Sequence, residues 1–272
     1  YAHWLELTRD CKPVPLARES AEHLLEVREV IYSLLGEESD PELEKLWSRV
    51  LVGFAELHLA NLYDGSETVT KDLERALKLR ETHYGSESTM VGDVLSLRAE
   101  LAFTKDDLST AESCLTRALN IVESNLGPDT WEVAEILLRL ATVYFRKHRF
   151  SPTEAVLQRT LELCRTLLAD NDQRWIKVCH LRGKLSLELG RPAEAFSSLD
   201  RALTLCKKHL QPPGRSLLVA AGRSCLLTDR PDRALELFLK AEAHFSEKPQ
   251  EWDEETEEVK LALGELLPVQ IL

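Results

Sequence analysis

No stretch of the chain stays apolar for the roughly 20 residues that a membrane-spanning helix needs, and no signal-peptide apolar region is present. Gly and Pro are sparse at 11 each in 272 residues, and no run alternates polar and apolar residues between turn signals, so strands are not indicated. Cysteine is limited to Cys11, Cys114, Cys164, Cys179, Cys206 and Cys225, without a Cys-x-x-Cys pair, which makes both zinc and disulfide frameworks weak readings. Basic residues are outnumbered, 34 Lys+Arg against 46 Asp+Glu for a formal charge of −12, so bulk attraction to phosphate backbones or anionic membranes is disfavoured. Catalytic signatures are missing as well: no Gly-x-Ser-x-Gly, phosphate loop, His-Glu-x-x-His or calcium loop occurs. The eight histidines never stand three or four apart, as metal ligands sharing a helix face would. Carboxylate pairs such as Glu37-Glu38 and Asp106-Asp107 read as turns or solvated faces. No catalytic residue, metal or cofactor is therefore expected. With no Asn-x-Ser/Thr acceptor either, a cytoplasmic, reducing location is expected. A chain that starts at Tyr1 without methionine is expected to be a fragment or a processed form.

What the chain does contain is 44% hydrophobic and 29% charged residues, an ordinary globular balance that argues against disorder. The apolar residues recur at helical spacing, from Leu24, Leu25, Val27, Val30 and Ile31 onward. Ser39-Asp40-Pro41 reads as a helix start, with a capping side chain followed by proline at the first helical position. More informative is a repeat. Val69, Leu73 and Ala76 stand 42 residues before Ala111, Leu115 and Ala118, then Thr153, Leu157 and Thr160, then Ala195, Leu199 and Ala202; Ala234, Phe238 and Ala241 follow after 39. The links repeat too, since Tyr84-Gly85-Ser86-Glu87-Ser88 matches Leu126-Gly127-Pro128-Asp129-Thr130 at 42. Glycine accepts the left-handed conformation that ends a helix, and a Ser or Asp side chain caps the next one. Each unit is thus two helices joined by a short turn. Where helices cross at about 8–10 Å a long side chain does not fit, which accounts for the small residues. Enlarging Ala202 to Leu is expected to cost roughly 1–3 kcal/mol by overpacking. Cys164 and Cys206, also 42 apart, look like one buried repeat position filled twice.

These residues resemble the tetratricopeptide repeat family in its long, 42-residue version of the kinesin light chain type. The third unit carries the likeness best, with Leu137, Leu140, Ala141 and Tyr144 in its first helix and Thr153, Leu157 and Thr160 in its second. Units two and four depart from the pattern at Arg98 and Arg182, where the family has an apolar residue. The resemblance implies an all-α fold, a right-handed α-solenoid of helix-turn-helix repeats with capping helices. The expected boundaries are an N-terminal capping region at 1–40, five helix pairs at 41–87, 88–129, 130–171, 172–212 and 213–248, and a C-terminal capping helix and apolar tail at 249–272. In the cap, Val259, Leu263 and Leu266 form the packed face and the acids from Asp253 to Glu258 face water.

Such repeats stack on their neighbours and present the first helix of each pair to a guest. The resemblance therefore implies a non-catalytic interaction scaffold that binds a protein or peptide in a groove. The face left over on the first helices supplies the candidate residues Arg139, Phe145, Arg146, Lys177, His180, Leu181, Lys184 and Arg223. Five cations on one side of an acidic protein point to an acidic or carboxylate-bearing segment as guest of the C-terminal half. Leu138 and Thr142 stand where the carboxylate clamp of chaperone-binding repeats has Lys and Asn. Two other readings stay open: a regulatory or substrate-docking module of a larger enzyme, and RNA binding, against which the net charge argues. Trp131 and Trp175, near the starts of successive first helices, are assigned to packing between units, with partner contact as the alternative.

Overall fold

The computed structural model describes residues 30, 40–59, 68–247 and 254–266, and among these every regular element is an α-helix. The helices are α1 (Pro41–Leu59), α2 (Thr68–Tyr84), α3 (Thr89–Thr104), α4 (Leu108–Leu126), α5 (Trp131–Arg146), α6 (Phe150–Leu167), α7 (Trp175–Glu188), α8 (Pro192–Lys208), α9 (Arg215–Leu227), α10 (Pro231–Glu247) and α11 (Glu254–Leu266). Apart from residues 30 and 40, the expected N-terminal capping region at 1–40 lies outside the described residues, as does the tail at 267–272. The chain divides into two compact units, one ending at Lys147 and the other starting at His148. The third expected pair, 130–171, therefore has its helices in different units.

In the first unit α1 packs on α2, α2 on α3, α3 on α4 and α4 on α5, and α1 also touches α3. In the second unit α6 packs on α7, α7 on α8, α8 on α9, α9 on α10 and α10 on α11, while α9 touches both α7 and α11. Within each unit, then, first helices meet first helices across one intervening second helix. The repeat positions explain the packing. Val69, Leu73 and Ala76 on α2 and their counterparts on α4, α6, α8 and α10 are all at most 2% exposed. Thr153 and Thr160 fill the small slot on α6 without leaving a hydroxyl unpaired, since each donates to the carbonyl four residues back, Arg149 and Val156, at 2.8 and 2.9 Å. Cys164 and Cys206 are buried, as are Cys114, Cys179 and Cys225. Burial pushes the Cys164 thiol up to about 11, so it behaves as a small apolar side chain and not as a nucleophile.

The turns follow from local chemistry. Asp40 caps α1 by accepting the Glu42 amide at 2.9 Å, with Pro41 as the first helical residue. Gly85 and Gly127 take φ of +85° and +89° between pairs. Ser88 caps α3 by accepting from the Met90 amide, and Thr130 caps α5 by accepting from the Val133 amide; the cap in the second link is Thr130 and not the adjacent Asp129. The turns inside the pairs carry a feature not read from the sequence: Asp106, His148, Gly190 and Asp229 all have φ between +54° and +68°, at successive steps of 42, 42 and 39 residues.

Candidate partner-binding surfaces

The candidate residues fall into the two units. Arg139, Phe145 and Arg146 belong to the first; Lys177, His180, Leu181, Lys184 and Arg223 belong to the second.

On the first unit, Arg139 of α5 reaches back to Glu100 of α3 and across one turn to Glu135, both at 2.8 Å. Arg146 pairs with Asp106 at 2.7 Å and lies over the Phe103 ring at 5.2 Å. Phe145 is half-buried, and Leu138 is buried in the helix packing instead of contributing to the open face. The face continues through the exposed Asp93 of α3 and through Glu56 of α1, whose carboxyl burial raises above the ordinary range. Arg80 of α2 is 4% exposed and reaches this face from behind, donating to the Met90 carbonyl at 2.5 Å and lying 3.8 Å from Asp93. These two contacts offset part of the cost of burying the guanidinium, whose Nε has no hydrogen-bond partner. The cations here are thus interleaved with carboxylates.

On the second unit, α7, α9 and α11 carry the open face. Lys177 is exposed at the start of α7. One turn on, Leu181 is buried, so helix packing takes up a side chain that the sequence assigned to a guest; Leu187, Val219 and Ala220 are buried with it. His180 is held beside Ser216 of α9, with its Nε2 shut off from solvent and without a hydrogen-bond partner. Burial, with the Lys184 charge adding to it, lowers its pKa to about 4, so the imidazole is neutral at pH 7. Lys184 donates to the Ser216 hydroxyl at 3.2 Å and lies 3.9 Å from Glu255 of α11. Glu255 also accepts from Arg215 Nε of α9 at 3.2 Å. Arg223 lies between Glu188 of α7, at 3.4 Å, and Glu258 of α11, at 3.9 Å. Burial raises the Glu258 carboxyl, against the pull of Arg223.

Three members of this cluster were missed in the sequence. Arg215, Glu255 and Glu258 are pinned by the geometry of α9 and α11, and the acids of α11 had been assigned to water. Glu257 is exposed as expected, whereas Glu255 and Glu258 are half-buried beside the buried Thr256 and Val259. A signal was available: Glu255 and Glu258 stand four and one residues before Val259 of the packed stripe, which sets them at the rim of the buried face. Trp175 is 2% exposed, donates Nε1–H to the Ala169 carbonyl at 3.1 Å and lies under Arg201 at 4.3 Å, a packing role within its unit. Among the described residues no group of His, Cys, Asp and Glu is arranged to hold a metal ion, and no helix is long and apolar enough to cross a membrane.

Comparison with known proteins places this architecture. The tetratricopeptide repeat family model matches residues 90–166. Among solved structures, BtubC (BKLC) from P. vanneervenii superposes with a TM-score of 0.63 at 16% identity, covering 87% of this chain and 92% of that one. The nearly identical TPR-like repeats ascribed to a kinesin light chain of Podosopora anserina give 0.57 at 16% identity, covering 79% of this chain and 100% of that one. A tetratricopeptide repeat protein from Parabacteroides merdae gives 0.50 at 17% identity, with 92% and 80% covered. No curated protein sequence matches the chain. At these identities the structural likeness establishes the fold.

Proposed function

On the premise that residues 90–166 are tetratricopeptide repeats in a chain with the fold of kinesin-light-chain-like repeat proteins, we propose that this protein is a non-catalytic interaction scaffold. Its second unit binds an acidic segment of a partner protein along the face formed by α7 and α9. The observation that carries this reading is the behaviour of that face toward carboxylates. Lys184, Arg215 and Arg223 lie together on it, and each already engages a glutamate, whether Glu188 from the same face or Glu255 and Glu258 from α11. Side chains about a quarter to a half exposed keep these cations within reach of a guest. Arg offers a two-pronged donor to a carboxylate where Lys offers a point charge. Lys177, at the open end of α7, extends the cationic strip. The first unit presents a different face, in which Glu56, Asp93, Glu100 and Glu135 interleave with Arg139, and is not assigned to the acidic guest.

Titration calorimetry with a short peptide of alternating glutamate and leucine tests the reading. Wild type binds it, and the double variant Lys184→Gln, Arg223→Gln binds at least about tenfold more weakly, as expected when charged pairs at an interface are cut. Affinity also falls with added salt, because partly exposed charges are screened within about 10 Å at 0.1 M. Equal binding by the variant, or no binding by wild type, would overturn the assignment of the face.

A further inference from the structure

Six ion pairs among the described residues join positions 33 to 39 residues apart and run in one direction. Arg117 reaches back to Glu81, Arg139 to Glu100 and Lys147 to Glu112 in the first unit. Arg191 reaches back to Glu154, Arg223 to Glu188 and Arg233 to Asp200 in the second. In each pair the later residue is the cation and the earlier one the carboxylate. At α11 the direction inverts. Here the later residues are the acids: Glu255 meets Arg215 and Lys184, and Glu258 meets Arg223.

This inversion has a physical consequence. Arg223 is already paired with Glu188 by the ordinary ladder, so Glu258 is a second carboxylate drawn to a cation that the repeat itself neutralises. Glu258 is also partly desolvated and sits near Glu255 and Glu188, and burial raises its carboxyl above the ordinary range. Such crowding of three acids about Lys184, Arg215 and Arg223 is tolerated because α11 is fixed by other contacts. Val259, Ala262 and Leu263 are buried, and α11 packs chiefly on α10. The two glutamates are therefore brought to the face by an apolar anchor, and their ion pairs are not what holds the helix.

We propose that Glu255 and Glu258 are built-in competitors for the acidic guest of the second unit. The inference rests on the acidic-guest reading above and specifies how that site is regulated. When a partner carboxylate binds Lys184, Arg215 or Arg223, it displaces these side chains while the α11 backbone stays packed. The resting affinity of the face is thus held down by the chain's own acids, and whatever draws Glu255 and Glu258 away raises it.

The test is fluorescence anisotropy with the glutamate–leucine peptide carrying fluorescein, added to wild type, to Glu255→Gln, Glu258→Gln, and to a control, Glu257→Gln, Glu265→Gln. The control removes the same charge from exposed positions of the same helix. The proposal predicts that the first double variant binds roughly three- to tenfold more tightly than wild type, the range expected from releasing three partly exposed ion pairs, and that the control binds like wild type. If wild type binds and Glu255→Gln, Glu258→Gln binds no better, the competition is wrong and the acidic-guest reading stands. If the control tightens equally, net charge is responsible and the competition is again wrong. If neither wild type nor either variant binds, the acidic-guest reading has failed and the competition with it. Thermal melts of all three proteins check that α11 remains packed. Should the double variant melt below the assay temperature, Glu255→Gln and Glu258→Gln singly give the same readout, each expected to show part of the gain.

Discussion

Gly183 on α7 faces Leu199 on α8 so closely that a Cβ at position 183 would stand 2.4 Å from Leu199 Cγ. The same relation recurs in the next pair, where a Cβ on Gly222 would stand 2.7 Å from the Phe238 ring. Leu199 and Phe238 are the large residues between the two small ones of each second helix, and both are fully buried. A glycine inside a helix ordinarily costs about 1 kcal/mol relative to alanine. Here the clash outweighs that gain, because neither large side chain has free space to move into. Gly183→Ala is expected to destabilise the protein by about 1–2 kcal/mol in denaturant unfolding. In a Leu199→Ala background the sign should reverse, since the obstacle is gone and only the helix preference remains.

Leu210 offers the opposite case. It follows α8 with a φ of +55° and is 93% exposed. A leucine in the left-handed region costs roughly 1–2 kcal/mol, and glycine relieves it while losing about 0.5–1 kcal/mol to the greater freedom of the unfolded chain. With so little side-chain contact to lose, Leu210→Gly is expected to raise stability by a few tenths to about 1 kcal/mol. A rise in the thermal midpoint checks this; a fall would mean that the leucine packs against something.

His180 sets an acid limit on the second unit. The folded imidazole has its pKa lowered to about 4 by burial and by Lys184, while the unfolded one titrates near 6.5. The sign follows: below about pH 6.5 the unfolded chain takes up a proton that the folded chain refuses, so stability is lost as pH falls toward 4. The loss reaches about 3 kcal/mol at most. His180→Asn removes the titration, and the stability difference between wild type and this variant should change across that window. A difference that stays constant from pH 7 to pH 4 would contradict the buried, neutral assignment.

The small-residue slots were legible in the sequence because Ala111, Ala118, Ala195 and Ala202 report a constraint, close helix crossing, that few other side chains satisfy. Thr153 and Thr160 were legible by spacing alone, and their hydroxyls turn out to be satisfied within their own helix. Gly85 and Gly127 announced their turns for the same reason. The turns within pairs were hidden, since Asp106, His148 and Asp229 take the left-handed conformation that only Gly190 advertises. The open face was the least legible part. Helical periodicity places Leu181 and Leu138 on the leftover stripe, but contact with neighbouring helices buries both. Charge pairing was invisible as well: which carboxylate meets Arg223 depends on how α7, α9 and α11 are brought together, and residue spacing does not encode that.

The central claim, that the first-helix face of the second unit holds an acidic guest, is tested most directly by mapping where such a guest touches. A benzophenone amino acid placed at Lys177 or Ser216 on α7 and α9 should photo-crosslink the glutamate–leucine peptide. The same group at Gln158 or Lys207, exposed on the second helices α6 and α8, should not. Crosslinking from positions 158 and 207 with none from 177 and 216 would contradict the account.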